Sequence, residues 1–290
     1  MDRRQRAGVL PVGRDRERSG ALVALAGVTA GVCLCAGGCA GGGALADDAR
    51  AAQDPAAVLR GAADRLVAAG SSKVRTSMEM ATGGTRVTIR GEGVYDFRGR
   101  LGRLTVRLPQ DPAGASEHAP ITELLAPGAL FMKNRGAGVP VDKWVRIDTG
   151  RLSDGNLVTG GATDPAASAE LLRGTRRAVY AGRTELDGTT VRHYRGTADL
   201  AAAARGAPAG GRAALAAAAK GFATALVPFD VYLDDQGRVR KIEQHFSFVN
   251  GQRPGTVAVT STTLLHDFGT PADVRLPAST DIYAGKIAEK

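Results

Sequence analysis

The chain has 290 residues, with 38 Lys or Arg against 29 Asp or Glu, for a formal net charge of +9. Hydrophobic residues make up 43%, which excludes a chain disordered throughout. Aromatics are only 4%, with one Trp, so an aromatic-rich carbohydrate or single-strand nucleic-acid platform is disfavoured. Three Cys cannot build a disulfide scaffold or a four-Cys zinc site.

All three Cys fall together, at Cys33, Cys35 and Cys39. Upstream lie Arg3, Arg4, Arg6, Arg14, Arg16 and Arg18, then the uncharged segment 21–34, then the small residues Ala36, Gly37 and Gly38. This is the layout of a secretory signal peptide, and it is too short for a membrane-spanning helix, which needs roughly 20 apolar residues. The segment ending at Cys39 resembles a bacterial lipobox, with Ala36 in the position usually held by leucine. That resemblance implies cleavage before Cys39 and acylation of its thiol; plain secretion and an uncleaved anchor are the alternatives. The expected organisation is a signal peptide over 1–38, a tether over 39–53 and one domain over 54–290. Residues 1–38 hold six of the arginines and three of the acids, so the remainder carries 32 bases against 26 acids. Residues 54–290 contain no Cys, so the domain has no disulfide or free thiol and rests on its core alone.

Asp54-Pro55 reads as an N-cap followed by proline at the first helical position. The spacing of Val58, Ala62, Leu66 and Ala69, with Leu59, Ala63 and Val67 beside them, predicts a helix over 55–69, stopped by Gly70. The period then changes. In 73–81, Val74, Thr76, Met78 and Met80 alternate with Lys73, Arg75, Ser77 and Glu79, as in a strand with one wet face. Further strands are predicted at 85–97, around Leu104, Val106 and Leu108, at 129–134 with Leu130 and Met132, and at 143–148. The second half is read as a short helix at 165–173 and strands at 177–184 and 189–198 around the Asp187-Gly188 turn. An Ala-rich helix follows over 199–226, interrupted near Pro208, with strands at 228–234, 238–249 and 256–267. The sum is one α+β domain, a long curled antiparallel sheet with helices laid on one face.

Several segments, in order, are familiar: Phe131-Met132-Lys133, Lys143-Trp144-Val145-Arg146-Ile147-Asp148 and Tyr180-Ala181-Gly182-Arg183-Thr184. They continue with Asp187-Gly188-Thr189-Thr190-Val191-Arg192-His193-Tyr194, Pro228-Phe229-Asp230-Val231-Tyr232-Leu233-Asp234 and Gly237-Arg238-Val239-Arg240-Lys241. Behind a lipobox and a first helix, this series resembles the actinobacterial LppX/LprA/LprF/LprG-type lipoproteins, whose fold is similar to LolA. The resemblance covers about residues 56–280. It implies an incomplete β-barrel whose concave face is covered by helices and encloses an apolar cavity, and it brings no catalytic motif. The long Ala-rich insert departs from that pattern.

The residues themselves point to no enzyme. His118, His193, His245 and His266 lack metal-ligand spacing, the serines lack a nucleophile elbow, and Asp234-Asp235-Gly237 reads as a turn rather than a calcium loop. Gly160-Gly161 lacks the strand, helix and lysine of a phosphate loop. No catalytic, cofactor or metal residue is expected. Arg98, Arg100 and Arg103, with Arg173, Arg176 and Arg177, read as solvated strand edges; contact with anionic headgroups is the alternative. Met78, Met80, Leu104, Val106, Leu130 and Met132 share apolar strand faces and are read either as core or as the lining of a lipid cavity.

The expectation is therefore a lipoprotein held at the extracytoplasmic face of the cell membrane through lipidated Cys39. It would bind a lipid or another apolar small molecule and carry it between membrane and envelope. Nucleic acid is not an expected partner. The alternative is an envelope sensor or interaction lipoprotein without a ligand cavity, with an envelope protein as its partner. Stable anchoring takes two acyl signals. Cys39→Ser should thus release the protein into the medium or leave an unprocessed precursor, scored by fractionation and gel mobility; a variant that fractionates and migrates like the wild type would contradict the lipobox.

Overall fold

A computed structural model describes residues 54–285, apart from 83–84, 110–118 and 250–255. The segments read as signal peptide and tether, with Cys39, lie outside the described residues.

The first helix forms where the sequence puts it, in two pieces. The Asp54 carboxylate accepts from the Ala56 N–H at 3.0 Å, and Pro55 opens α1 (Pro55–Arg60). Gly61 interrupts the helix, and α2 (Ala62–Ala69) follows, ending at Gly70 with φ +87°. Leu59, Ala62, Ala63 and Leu66 enter the core, whereas Val58 and Ala69 are only half-buried. The buried face thus takes Ala62 and Leu66 from the predicted stripe and Leu59 and Ala63 from the row beside it, while Val67 of that row is exposed.

Six strands form the first half of the sheet: β1 (Ser71–Thr82), β2 (Thr85–Asp96), β3 (Leu101–Arg107), β4 (Ile121–Ala126), β5 (Ala129–Lys133) and β6 (Val145–Asp148). Five form the second half: β7 (Thr175–Leu186), β8 (Thr189–Asp199), β9 (Leu226–Leu233), β10 (Val239–Val249) and β11 (Thr256–His266). Three helices intervene, α3 (Pro165–Leu171), α4 (Leu200–Gly206) and α5 (Ala209–Gly221). The spatial order is β6-β5-β4-β3-β2-β1-β11-β10-β9-β8-β7, antiparallel throughout, and β6 and β7 are the free edges. The sheet is one open, curled α+β framework, in agreement with the expected fold class. At the β7–β8 turn, Asp187 (φ 48°) and Gly188 (φ 73°) both take left-handed backbone, the geometry a two-residue hairpin needs.

Sequence alternation gives the burial pattern directly. Val74, Thr76 and Met78 on β1, Leu104 and Val106 on β3, and Val231 and Leu233 on β9 all point into one core. One strand was not anticipated. In β4, Ile-Thr-Glu-Leu-Leu-Ala carries no clean alternation, because Leu124 is buried on the opposite face from Ile121 and Leu125. There Leu124, Ala129 and Phe131 form a second, small core under Trp144, Val274 and Ile282. The chain after β11 crosses that outer face and pairs with Trp144: its N–H donates to the Asp281 carbonyl and its carbonyl accepts from Tyr283, both at 2.8 Å.

Four of the arginines read as solvated edges have internal partners. Arg98 donates to the carbonyls of Val67 and Ala68, capping α2. Glu170 on α3 is 2% exposed and is held by Arg100 Nη1 at 3.2 Å and by Arg173 Nε; Arg173 also grips Asp64 on α2, and holds that carboxyl below the usual carboxylate range. Arg176 pairs with Asp199 at 2.7 Å. The Glu170 cluster thus ties two helices to the β2–β3 turn. Removing one member leaves charge stranded in a desolvated place, so Glu170→Ala should cost about 3 kcal/mol of unfolding free energy in urea melts. A loss under about 1 kcal/mol would mean the cluster is energetically idle.

Candidate functional site

The segment after β6 does not run over the surface. Residues 154–163 are buried apart from Thr159, and they cross the inner face of the sheet. The Asp154 carboxylate organises this loop, accepting from the N–H groups of Asn156 (3.0 Å), Val158 (2.9 Å) and Thr159 (2.6 Å). The Thr163 hydroxyl donates to the Leu157 carbonyl at 2.8 Å and meets Ser261 Oγ on β11. Helix α5 presses the loop down. A Cβ on Gly155 would stand 2.0 Å from the Ala214 carbonyl oxygen, and one on Gly221 would stand 2.0 Å from the Ser153 oxygen. The composition of the Ala-rich insert therefore has a packing reason: only small residues let helix and loop backbones approach so closely.

Between this loop and the sheet lies a cleft of about 910 Å³. Its sheet wall is apolar, with Met80, Ile89, Ile121 and Met132 on β1, β2, β4 and β5, and Val145 and Ile147 on β6. Val158, Thr159 and Gly161 supply the loop wall, and Asn134, Arg135 and Gly136 follow from the end of β5. The volume falls within the ordinary range of small-molecule sites, about 300–1,000 Å³. A second cleft of about 640 Å³, between α1 and the β9–β10 turn, mixes apolar groups with the charged Asp54, Arg65, Arg192 and Asp235.

Of the six residues read as core or cavity lining, the structure places Met80 and Met132 on the apolar cleft. Met78, Leu104, Val106 and Leu130 are at most 1% exposed and belong to the packed core beneath it. The β6 residues, the loop wall and Arg135 were missed. Alternation in Val145-Arg146-Ile147 could have suggested the first; nothing in a glycine-rich loop announces that it will be buried. His193, expected on a wet face, is half-buried, bonded through Nε2 to Asp230 and stacked on Tyr232 at 4.4 Å. Among the described residues no group of three or more His, Cys, Asp or Glu could hold a metal ion.

Glu123 is the electrostatic anomaly of this region. It is fully buried on β4, directly across from Leu104 and Met132, and among the described residues neither carboxyl oxygen has a hydrogen-bond partner. Burial pushes its pKa up to about 8, against a smaller pull from Arg135.

No protein-family model matches the chain, and no curated protein sequence matches it. Solved structures similar to it include LprF from Mycobacterium bovis, at 14% identity and a TM-score of 0.37, covering 77% of this chain and 97% of that one. Another is the Mycobacterium tuberculosis lipoprotein LppX, at 12% identity and 0.37, covering 77% and 100%. A LolA superfamily protein from Nitrosomonas europaea follows at 11% and 0.33, covering 74% and 95%. These are lipoprotein and LolA-type structures, the kind that the sequence resembles. The fold itself is given by the sheet order and pairing described above.

A group protonated in the fold but ionised when unfolded stabilises at low pH. Glu123 should therefore contribute most below pH 4.5, lose ground at about 1.4 kcal/mol per pH unit above it, and level off past pH 8. Glu123→Gln removes that titration. The variant should gain several kcal/mol on the wild type between pH 5 and pH 8 in denaturant melts, and a constant difference would show that Glu123 does not titrate in this window.

Proposed function

We propose that this protein is a membrane-anchored extracytoplasmic lipoprotein that binds a lipid or another apolar molecule in the cleft between the 154–163 loop and β1–β6, and that it is not an enzyme. The observation that carries the reading is the cleft itself: about 910 Å³ whose sheet wall is methionine and branched aliphatic side chains, beside a densely packed main core. Burying an acyl chain there is worth about 0.8 kcal/mol per CH₂, enough for a lipid to leave a bilayer without exposing its tail to water. Two methionines on the wall suit ligands of variable shape, since an unbranched thioether repacks at low cost. Anchoring through Cys39 would keep the cleft within reach of the membrane. Carriage between membrane and envelope is the role this combination supports.

The second reading, an interaction lipoprotein, has one specific observation behind it. The edge strand β7 is largely exposed and presents Val179 (61% exposed) and Tyr180 beside unpaired backbone, where a partner strand could add to the sheet.

Native mass spectrometry of the full chain separates the two: co-purified lipid supports the carrier, and an empty protein supports the interaction module. Met80 is only half-buried, so in Met80→Arg the long stem can reach the cleft mouth. That variant should keep its circular dichroism spectrum while losing bound lipid to below one tenth of the wild-type content. A folded variant with unchanged lipid would count against the cleft as the binding site.

A further inference from the structure

Glu123 is not alone. Asn156 is 2% exposed and its Oδ1 likewise has no hydrogen-bond partner among the described residues. The two side chains converge at Gly160: a Cβ built there would lie 2.9 Å from Asn156 Oδ1 and 3.4 Å from Glu123 Oε1. Gly160 stands between Thr159 and Gly161, both of which line the cleft. On the sheet side, Glu123 shares the face of Ile121, one alternation away, and is opposite Met132, again both lining residues. Three buried oxygens thus sit just behind the cleft wall, next to the lining residues Thr159, Gly161, Ile121 and Met132, and among the described residues no group donates to them. Buried polar atoms are paired in the great majority of cases, and leaving one unpaired is expensive.

We propose that Glu123 and Asn156 form the polar end of the cleft and take a hydroxyl group of the bound molecule, so that the ligand class is an apolar alcohol. This rests on the apolar-ligand reading above and narrows it. A hydroxyl both donates and accepts, which matches a carboxyl and an amide together. A hydrocarbon end would leave all three oxygens unpaired. A carboxylate would set further acceptor oxygens against them, and an ammonium would have to shed its water beside the Arg135 guanidinium that already acts on Glu123. Gly160 has a role in this arrangement, because any side chain there would crowd both oxygens.

The test is titration of the full chain with decan-1-ol and with 1-chlorodecane, read by displacement of a bound fluorescent naphthylamine. Hydrophobicity alone favours the chloride, so a preference for the alcohol is diagnostic. The alcohol should displace the probe at a 10- to 100-fold lower concentration, the factor expected for pairing a buried polar group. Glu123→Leu should abolish the preference while leaving chloride binding intact, and Glu123→Gln, which keeps the hydrogen-bonding capacity, should retain most of it. Asn156→Ala, checked for folding by its melting curve, should reduce it independently. Equal or tighter binding of the chloride by the wild type, or an alcohol preference that survives Glu123→Leu, would overturn this inference and assign the oxygens to a captive water. Displacement by neither compound would overturn it together with the apolar-ligand reading.

Discussion

Everything in this fold depends on the pairing of β1 with β11. Nine registered pairs, from Lys73 opposite His266 to Ala81 opposite Ala258, join two meanders that have no other strand contact in the sheet. Every other neighbour in the sheet is consecutive in sequence. Because the seam is antiparallel and in register, the inward residues of both halves fall on the same side, and Val74 and Met78 meet the same core as Val259 and Leu265. A slip of one residue would turn one half inside out.

The seam also fixes where a cleft can exist. The β7–β10 half is covered by α1, α2, α3 and α4, so its inner face is filled with side chains such as Phe229 and Val231. Over the part of β1–β6 that lines the cleft, the facing wall is the 154–163 loop, backed by α5. A loop braced by the carboxylate of Asp154 and pressed by a helix of alanine and glycine cannot fill the space that a helix with large side chains would. The cleft is what remains, and Glu123 lies at its boundary with the solid core.

Much of this was legible in the sequence, and the exceptions have a common cause. Strands with one wet face announce themselves: Arg103, Thr105 and Arg107 alternating with Leu104 and Val106 leave little choice of period. Turns such as Asp187-Gly188 are dictated by backbone sterics. Strand β4 was not legible because a second core covers its outer face, erasing the alternation at Leu124. The cleft was half legible. Shared parity put Met80 and Met132 on the inner face, but parity cannot distinguish them from Leu104 or Leu130, which pack solidly. What separates the two sets is whether a helix or a loop lies above, and that is decided by residues far along the chain. Glu123 was invisible for the same reason: one acid in a short apolar run reads as a solvent-facing position until both faces are known to be covered.

The seam has a kinetic consequence. Neighbouring strands within a meander are joined by connections of 2 to 26 residues, whereas β1 must wait for a partner that begins more than 170 residues after it ends. Loop-closure entropy grows only slowly with that separation, yet it must be met before the long-range contacts repay it. The two meanders can therefore assemble locally, but the common core is completed only when the last strand arrives. Until then β1 and β11 are both bare edges. A chain threaded through a membrane from its N-terminus would stay incompletely folded for nearly its whole passage, and the final strand to emerge would be the one that locks the protein shut.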